Sequence, residues 1–409
     1  MITENKAIVI LGAAKFDGPY ESTSFTTAKY LARNNKVFYA DYPFTWKDYF
    51  RTSGTESFNV RKAGFRSVAS SVLSTEQGGL SILILPLMLS INFIPEGKLY
   101  RFFLSLNENL IILRIKSVLK LNNIHDFIFI NSFNFHYPNV GRLLQSKLYI
   151  YHCVDPLVIE YDKKHGLKSE QIIVEDVDLL FCTSKKLYEE KKLLNKNTFF
   201  IPNAADLNHA SKSLNPDLEV HQSILKIPYP IIGYFGNIER RIDFNLLTEV
   251  VILNPEKSFV FVGPTSEEYI LDGFKEHKNV YFIGRVPYEE MPSVIKGFDV
   301  CMIPFKKDEF SATIFPLKLF EYLGAAKPVV ATNFNTDLID FTKDVIPYCS
   351  NAKEFSNAIG KLLTQNNQKD LNQRLEIAKL NTWDIRLLEF SEIIADFYNR
   401  IELKNNSVN

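Results

Sequence analysis

Short runs of apolar residues recur along this chain at intervals too regular to ignore. Ala7-Ile-Val-Ile-Leu11 is the first, and Phe127–Ile130, Lys147–His152, Leu179–Thr183, Pro230–Gly236, Ser258–Gly263 and Asp299–Pro304 follow it. A run with no polar alternation fits a strand covered on both faces, as in a parallel sheet. Segments with helical spacing separate the runs. Strand, helix, strand in succession predicts an α/β architecture of doubly wound, Rossmann-like sheets. The pattern plays out twice over 409 residues, a length that suits two domains. Pro216, Pro228 and Pro230 punctuate a polar connector between the halves. The expected division is 1–203, 204–383 and a closing helix over 384–404.

Composition excludes some partners. Forty-seven Lys and Arg residues balance forty-seven Asp and Glu residues. A general nucleic-acid binder, whose affinity rests on neutralising phosphates, is not expected. Cys153, Cys182, Cys301 and Cys349 stand singly, without metal-ligand spacing, and read as buried thiols in a reducing cytosol. Ala7–Gly12 is too short for a signal segment. The longest apolar stretch, Leu80–Ile94, is too short and too interrupted to span a bilayer, for which about 20 residues are needed. It reads as strand plus helix or as a patch at a bilayer surface. Residues 47–120 carry ten basic against five acidic residues, a composition that favours contact with anionic lipid heads. The expected location is the cytoplasm, at the inner face of its membrane.

In the first half, Ser22 or Thr23 can cap a helix running to about Asn34. The Gly12–Glu21 loop follows a strand end and so faces a ligand crevice. Asp41–Gly79 is poorly patterned and is expected to be irregular, and Leu99–Asn122 reads as a long helix. Asp155 follows the strand Lys147–His152. A carboxylate at a strand end is a candidate general base for an acceptor hydroxyl, or else a cap that holds a loop. His136 and His152 have the same two readings.

The second half contains the stretch with the most chemistry, Thr313–Val330. Pro316–Ala325 has helical spacing, with Pro316 placed in the first turn. The start of a helix offers unpaired N–H groups and a positive dipole end, a site for an anion. Lys318 in that first turn opposes the dipole unless an anion such as a diphosphate lies before it. Glu321, on the same face, can accept the hydroxyls of a ribose, or simply pair with Lys318. Ser311 and Thr313, just ahead, can reach sugar hydroxyls. Upstream, Gly236 ends the strand of Pro230–Gly236 and lets a ligand approach the backbone. Asn237 follows it, and Asp243 can cap the next helix. No Asp-x-Asp pair stands at a strand end, so no metal is expected; there is no G-x-G-x-x-G dinucleotide fingerprint, and no cofactor is expected either.

Thr313-Ile-Phe-Pro-Leu-Lys-Leu-Phe-Glu-Tyr, with Lys327-Pro-Val-Val330, resembles the donor segment of GT-B glycosyltransferases of the family 4 type. Phe315, Leu317, Glu321 and Lys327–Val330 match. Thr313 stands where the family has a first glutamate, and Pro316 where it has a glycine. The Pro-x-Lys-x-x-Glu-Tyr form is similar to a branch of capsule and teichuronic-acid enzymes, and to the inverting glucuronosyltransferase of xanthan assembly. Pro202–Asp206 and Asn381–Arg386 resemble the family's interdomain segment and the start of its final helix. The resemblance implies two Rossmann-like domains facing a cleft, a nucleotide sugar in the second and an acceptor in the first. It implies Arg241, with Arg240 as the alternative, over the diphosphate, and the backbone at Val286 reading the base. It implies a UDP-linked donor and a glycolipid or oligosaccharide acceptor in bacterial surface polysaccharide synthesis. Thr313 and Asp155 leave retention and inversion both open. Two other readings share these residues: a sugar-nucleotide epimerase or hydrolase of the same fold, and a non-catalytic polysaccharide-binding paralogue.

Overall fold

The structure, a computed structural model, describes residues 3–18, 22–157, 160–365 and 367–408, with side chains as far as 403. Two compact units emerge, Met1–Pro202 with Leu387–Asn409, and Asn203–Arg386.

The sheet of the first unit has eight strands in the order Val72–Ser74, Leu80–Leu83, Lys36–Ala40, Ala7–Gly12, Ile128–Ser132, Leu148–Cys153, Leu179–Cys182 and Thr198–Phe200. Only the edge pair Val72–Ser74 with Leu80–Leu83 is antiparallel. Ala7–Gly12 lies between Lys36–Ala40 and Ile128–Ser132, with Ile8 opposite Val37 and Ile128. Strand order reverses there, so the crevice at the carboxyl ends opens between Gly12 and Ser132. On one face Leu104, Ile111, Ile115 and Val118 of the helix Lys98–Leu121 pack on Val9, Phe38 and Phe129. On the other, Phe390 of the last helix packs on Phe181 at 4.1 Å and on His152 at 5.3 Å. That helix, Trp383–Val408, is tied to the unit by Thr3 to Ser391 and by Lys147 to Glu402.

The irregular stretch expected over Asp41–Gly79 holds two helices, Trp46–Arg51 and Glu56–Arg66, and the strand Val72–Ser74. The signals were their caps. Thr45 and Asp48 form a reciprocal capping box, and the Thr55 side chain accepts from the amide of Phe58. Leu80–Ile94 is a strand followed by loop, without the helix considered for it. The first helix ends at Leu31, short of Asn34, with Ser22 as its cap. The polar end of the chain continues the last helix to Val408. Residues 19–21 of the crevice loop lie outside the described residues.

The sheet of the second unit has six parallel strands in the order Val280–Gly284, Ser258–Val262, Ile231–Phe235, Val300–Ile303, Val329–Thr332 and Tyr348–Cys349. Its reversal falls between Ile231–Phe235 and Val300–Ile303. The expected helix Tyr288–Gly297 begins as a 3-10 turn, Tyr288–Glu290, and turns α-helical at Met291–Lys296. The last strand is Tyr348–Cys349; Lys343–Val345 is a 3-10 turn, so the strand expected at Val345–Tyr348 starts late. All four cysteines are buried and unbonded to one another.

Candidate functional site

The carboxyl ends of three neighbouring strands in the second unit turn on glycines with positive φ: Gly236 at 122°, Gly263 at 143° and Gly284 at 79°. Their amides and carbonyls interlock. Gly236 donates to the carbonyl of Val262 at 2.9 Å, and Gly263 to that of Gly284 at 2.8 Å. A Cβ on Gly263 would come within 2.1 Å of the Gly236 oxygen, so the strand ends sit closer than side chains allow. The loop after Gly236 is pinned to the next strand. Lys306 donates to the Arg241 carbonyl at 2.7 Å, and Asp243 to that of Pro304 at 2.8 Å. Asp243 also caps the helix Phe244–Leu253.

Into this reversal point projects Lys318, from the first turn of the helix Leu317–Gly324. Pro316 is the residue before that helix, not part of its first turn: its ψ of 122° is extended. No side chain caps this end, so the leading amides keep their hydrogen-bonding capacity. The Lys318 ammonium donates to the Tyr234 hydroxyl at 2.7 Å and lies over the rings of Tyr234 at 4.2 Å and Phe305 at 5.3 Å. It stands over Gly236 so closely that a Cβ there would be 2.5 Å away. Burial, aided by the charge of Arg241, pulls its pKa down to about 7.

Arg240 and Arg241 flank the same place. Their guanidinium groups lie over the Phe310 ring at 4.4 Å and 5.5 Å. Arg241 Nε is 2.6 Å from Glu239 Oε1, yet without hydrogen-bond alignment; among the described residues neither atom has a hydrogen-bond partner, nor has Arg240 Nε. Ser311 Oγ is likewise buried without a partner. Glu321 does not pair with Lys318: it is 8% exposed and accepts from the Tyr288 hydroxyl at 2.8 Å. Burial raises its pKa, against the opposing effects of Tyr288 and Lys318.

Other residues singled out from the sequence are placed differently. Phe315 is a core residue, stacked on Phe320 at 5.4 Å and edge-on to Phe341 at 4.9 Å, leaving only its backbone for a ligand. The Thr313 hydroxyl donates to the Phe310 carbonyl at 2.6 Å. Val286 is buried, Leu317 is half-buried and Asn237 is exposed. The Asn237 carbonyl accepts from the Tyr234 hydroxyl at 2.9 Å. Asp155 belongs to the first unit, exposed, two residues beyond the strand Leu148–Cys153. His152 is 3% exposed beneath Phe390, which suits its structural reading. Tyr234, Phe305, Phe310 and Tyr288 escaped the sequence reading because an aromatic residue near a strand end looks like core. Among the described residues, no group of three or more His, Cys, Asp or Glu is placed to hold a metal ion.

A family model described as glycosyl transferases group 1 matches residues 229–365, the part of the chain that carries this site. TuaH of Bacillus subtilis (strain 168), a putative teichuronic acid biosynthesis glycosyltransferase, is 28% identical over 273 residues, 61% of this chain and 67% of the relative. Sucrose-phosphate synthase from Thermosynechococcus elongatus has a TM-score of 0.65 at 15% identity, over 97% of this chain and 100% of that one. The α,α-trehalose 6-phosphate synthase of Burkholderia multivorans reaches 0.69 at 8% identity, over 100% and 99%. HepE of Anabaena, in complex with UDP, reaches 0.60 at 14% identity, over 96% and 100%. At such identities the solved structures speak for the fold alone. The chain thus has the GT-B fold of these glycosyltransferases, and its residues 229–365 match the glycosyl transferases group 1 family.

Proposed function

We propose that the protein transfers a sugar from a UDP-sugar to a lipid-linked or oligosaccharide acceptor in the synthesis of a bacterial surface polysaccharide. The observation that carries the donor half is the position of Lys318, beside an uncapped helix start and over Gly236. An ammonium caged by Tyr234 and Phe305 has one hydrogen-bonded neighbour, which leaves it donor capacity for a diphosphate. Arg241, with Arg240 beside it, brings guanidinium groups suited to phosphate oxygens. As the glycosidic bond to the sugar breaks, charge collects on the leaving diphosphate. Lys318, Arg241 and the helix amides would stabilise it without a metal ion. Glu321 would take the ribose, the backbone at Val286 the base, and Ser311 and Thr313 the sugar. UDP is the ligand in the HepE structure, and TuaH is named for teichuronic acid synthesis; these support the donor base and the acceptor class. Asp155 is the residue we assign as general base, from its exposed place at a strand end.

The acceptor would be met at the inner face of the cytoplasmic membrane. Support comes from exposed aromatic residues in the first unit: Trp46, Phe50 and Phe93 are 46%, 73% and 79% exposed. The cationic count is smaller than the sequence implies. Arg61 is buried against Asp17 and Asp41, and Arg114 is buried against the carbonyls of Gly64 and Ile84. No described helix is long and apolar enough to cross a membrane.

A panel of nucleotides and nucleotide sugars, read by thermal shift, tests this reading. A ligand at a hundred times its dissociation constant stabilises by about 2.7 kcal/mol. UDP and a UDP-sugar are expected to raise the melting temperature, with other bases weaker. A flat panel would end the donor assignment. Sugar released from the donor without any acceptor would favour the hydrolase reading.

A further inference from the structure

Glu321 keeps its carboxylate in a nearly dry place, and one contact determines how it is aimed. The Tyr288 hydroxyl donates to Oε1 at 2.8 Å, while Oε2 has no partner among the described residues. Tyr288 is itself held. Its ring stacks on His209, with centroids 4.0 Å apart and planes 16° from parallel. His209 comes from a separate element, the short helix Leu207–Ala210, whose cap Asp206 accepts from the His209 amide at 3.1 Å. The imidazole is 8% exposed, and its Nε2 is buried without a hydrogen-bond partner. His209 holds Tyr288 in two ways, by a flat surface against the phenol and by a hydrogen bond of its ring to the Tyr288 backbone. Tyr288, steadied by His209 from a separate element, thus fixes one carboxylate oxygen and leaves the other open.

We infer that Tyr288 is a positioning residue for the donor's ribose: its hydroxyl holds Oε1 of Glu321, His209 clamps its ring, and Oε2 is left for a ribose hydroxyl. The inference rests on the donor reading proposed above. A carboxylate with several rotamers loses entropy when it must settle on one to bind a ligand. A phenol already bound to one oxygen removes part of that loss. Hydrogen bonding by Tyr288 also favours the ionised carboxylate against the burial that disfavours it. Charged or titratable neighbours of Glu321 are Lys318, Tyr288 and Asp206.

Calorimetric titration of UDP and of 2′,3′-dideoxy-UDP into wild type, Tyr288→Phe and Glu321→Gln tests the inference. Wild type should prefer UDP over the dideoxy compound by about tenfold or more, the worth of a hydrogen bond to a charged group. Tyr288→Phe should lose most of that preference while binding the dideoxy compound as wild type does. Glu321→Gln should lose the preference altogether. If Tyr288→Phe keeps the wild-type preference, the phenol does not position the carboxylate. If its preference grows, the phenol competes with the ribose, which also overturns the proposal. Equal loss of both ligands in Tyr288→Phe would mean that the ring supports the pocket as a whole. Failure of wild type to bind either ligand would instead remove the donor reading, and the inference with it.

Discussion

Both units reverse strand order at a central strand, but they furnish the crevice at that reversal with different groups. In the first unit internal bonds tie down its near side, although Asn134 Oδ1 keeps no partner among the described residues and a cavity lined by Ala13, Asn134 and His136 opens beside it. The Asn134 amide donates to the Gly12 carbonyl at 3.0 Å, and Ser132 Oγ donates to Ser24 Oγ at 2.7 Å. A Cβ on Gly12 would strike the Tyr39 hydroxyl at 2.1 Å. Arg61, fully buried, donates to both oxygens of Asp17 and to Asp41. The loop expected to face a ligand is thus tied down at Asp17. In the second unit the corresponding place holds Gly236 with positive φ, a caged ammonium, Arg241 in an ion pair with Glu239, and Arg240 Nε and Ser311 Oγ without hydrogen-bond partners among the described residues. Satisfied polar groups make a scaffold, and unsatisfied ones wait for a ligand. One architecture can serve either end, because the function lies in the side chains at the crevice.

The largest effect that would break this comparison lies in the first unit. Arg61→Ala leaves Asp41 buried without its partner and should destabilise that unit by about 3–5 kcal/mol, as read by urea unfolding. Arg61 raises no expectation for the second unit, so UDP affinity of the folded variant should be unchanged. A smaller effect comes from the paired glycines. Gly12→Ala presses on a buried tyrosine ring and should cost about 1–3 kcal/mol of stability by overpacking. Gly236→Ala meets only the tip of Lys318, but at a φ that side chains rarely adopt, so it should weaken UDP binding more than it lowers the melting temperature. Equal losses of stability and equal retention of binding in both would erase the contrast.

The smallest effect is a pH dependence. Lys318 has its pKa lowered to about 7 in the free protein. Above that pH the free amine is neutral, while a bound diphosphate favours the charged form. Binding then takes up a proton, and affinity falls as pH rises. Between pH 7 and 8 the loss for a UDP-sugar, whose diphosphate does not titrate there, should be about fivefold. Calorimetry in buffers of different ionisation heat would detect the proton. The dependence should vanish in Lys318→Met, and its persistence there would assign the proton to another group.

Much of the framework could be read from the sequence because apolar runs are diagnostic when both faces of a sheet are covered. Ala7–Gly12, Ser258–Val262 and Val329–Thr332 all stand within a residue or so of the expected positions. The helices at Trp46–Arg51 and Glu56–Arg66 were missed because their apolar spacing is weak and only their threonine caps announce them. In the candidate site, Lys318, Glu321 and Gly236 stand out because charge or backbone freedom in a buried pattern is unusual, and the family resemblance, not the spacing, favours a donor role over a plain ion pair. Tyr234, Tyr288 and Phe310 could not, since contacts across 84 and 33 residues, as in Lys318 with Tyr234 and Glu321 with Tyr288, leave no local trace. Phe315 shows the converse: a motif position whose side chain belongs to the core.

The central claim is that the start of the helix Leu317–Gly324, reinforced by Lys318, holds the two phosphates of the donor. Titration of a UDP-sugar into wild type and Lys318→Ala at one pH below 7 tests it most directly. Saturable binding by wild type and a loss of about 10–100-fold in the variant, the scale of charge-assisted hydrogen bonds, is the predicted result. Equal affinity in the two proteins would contradict the account.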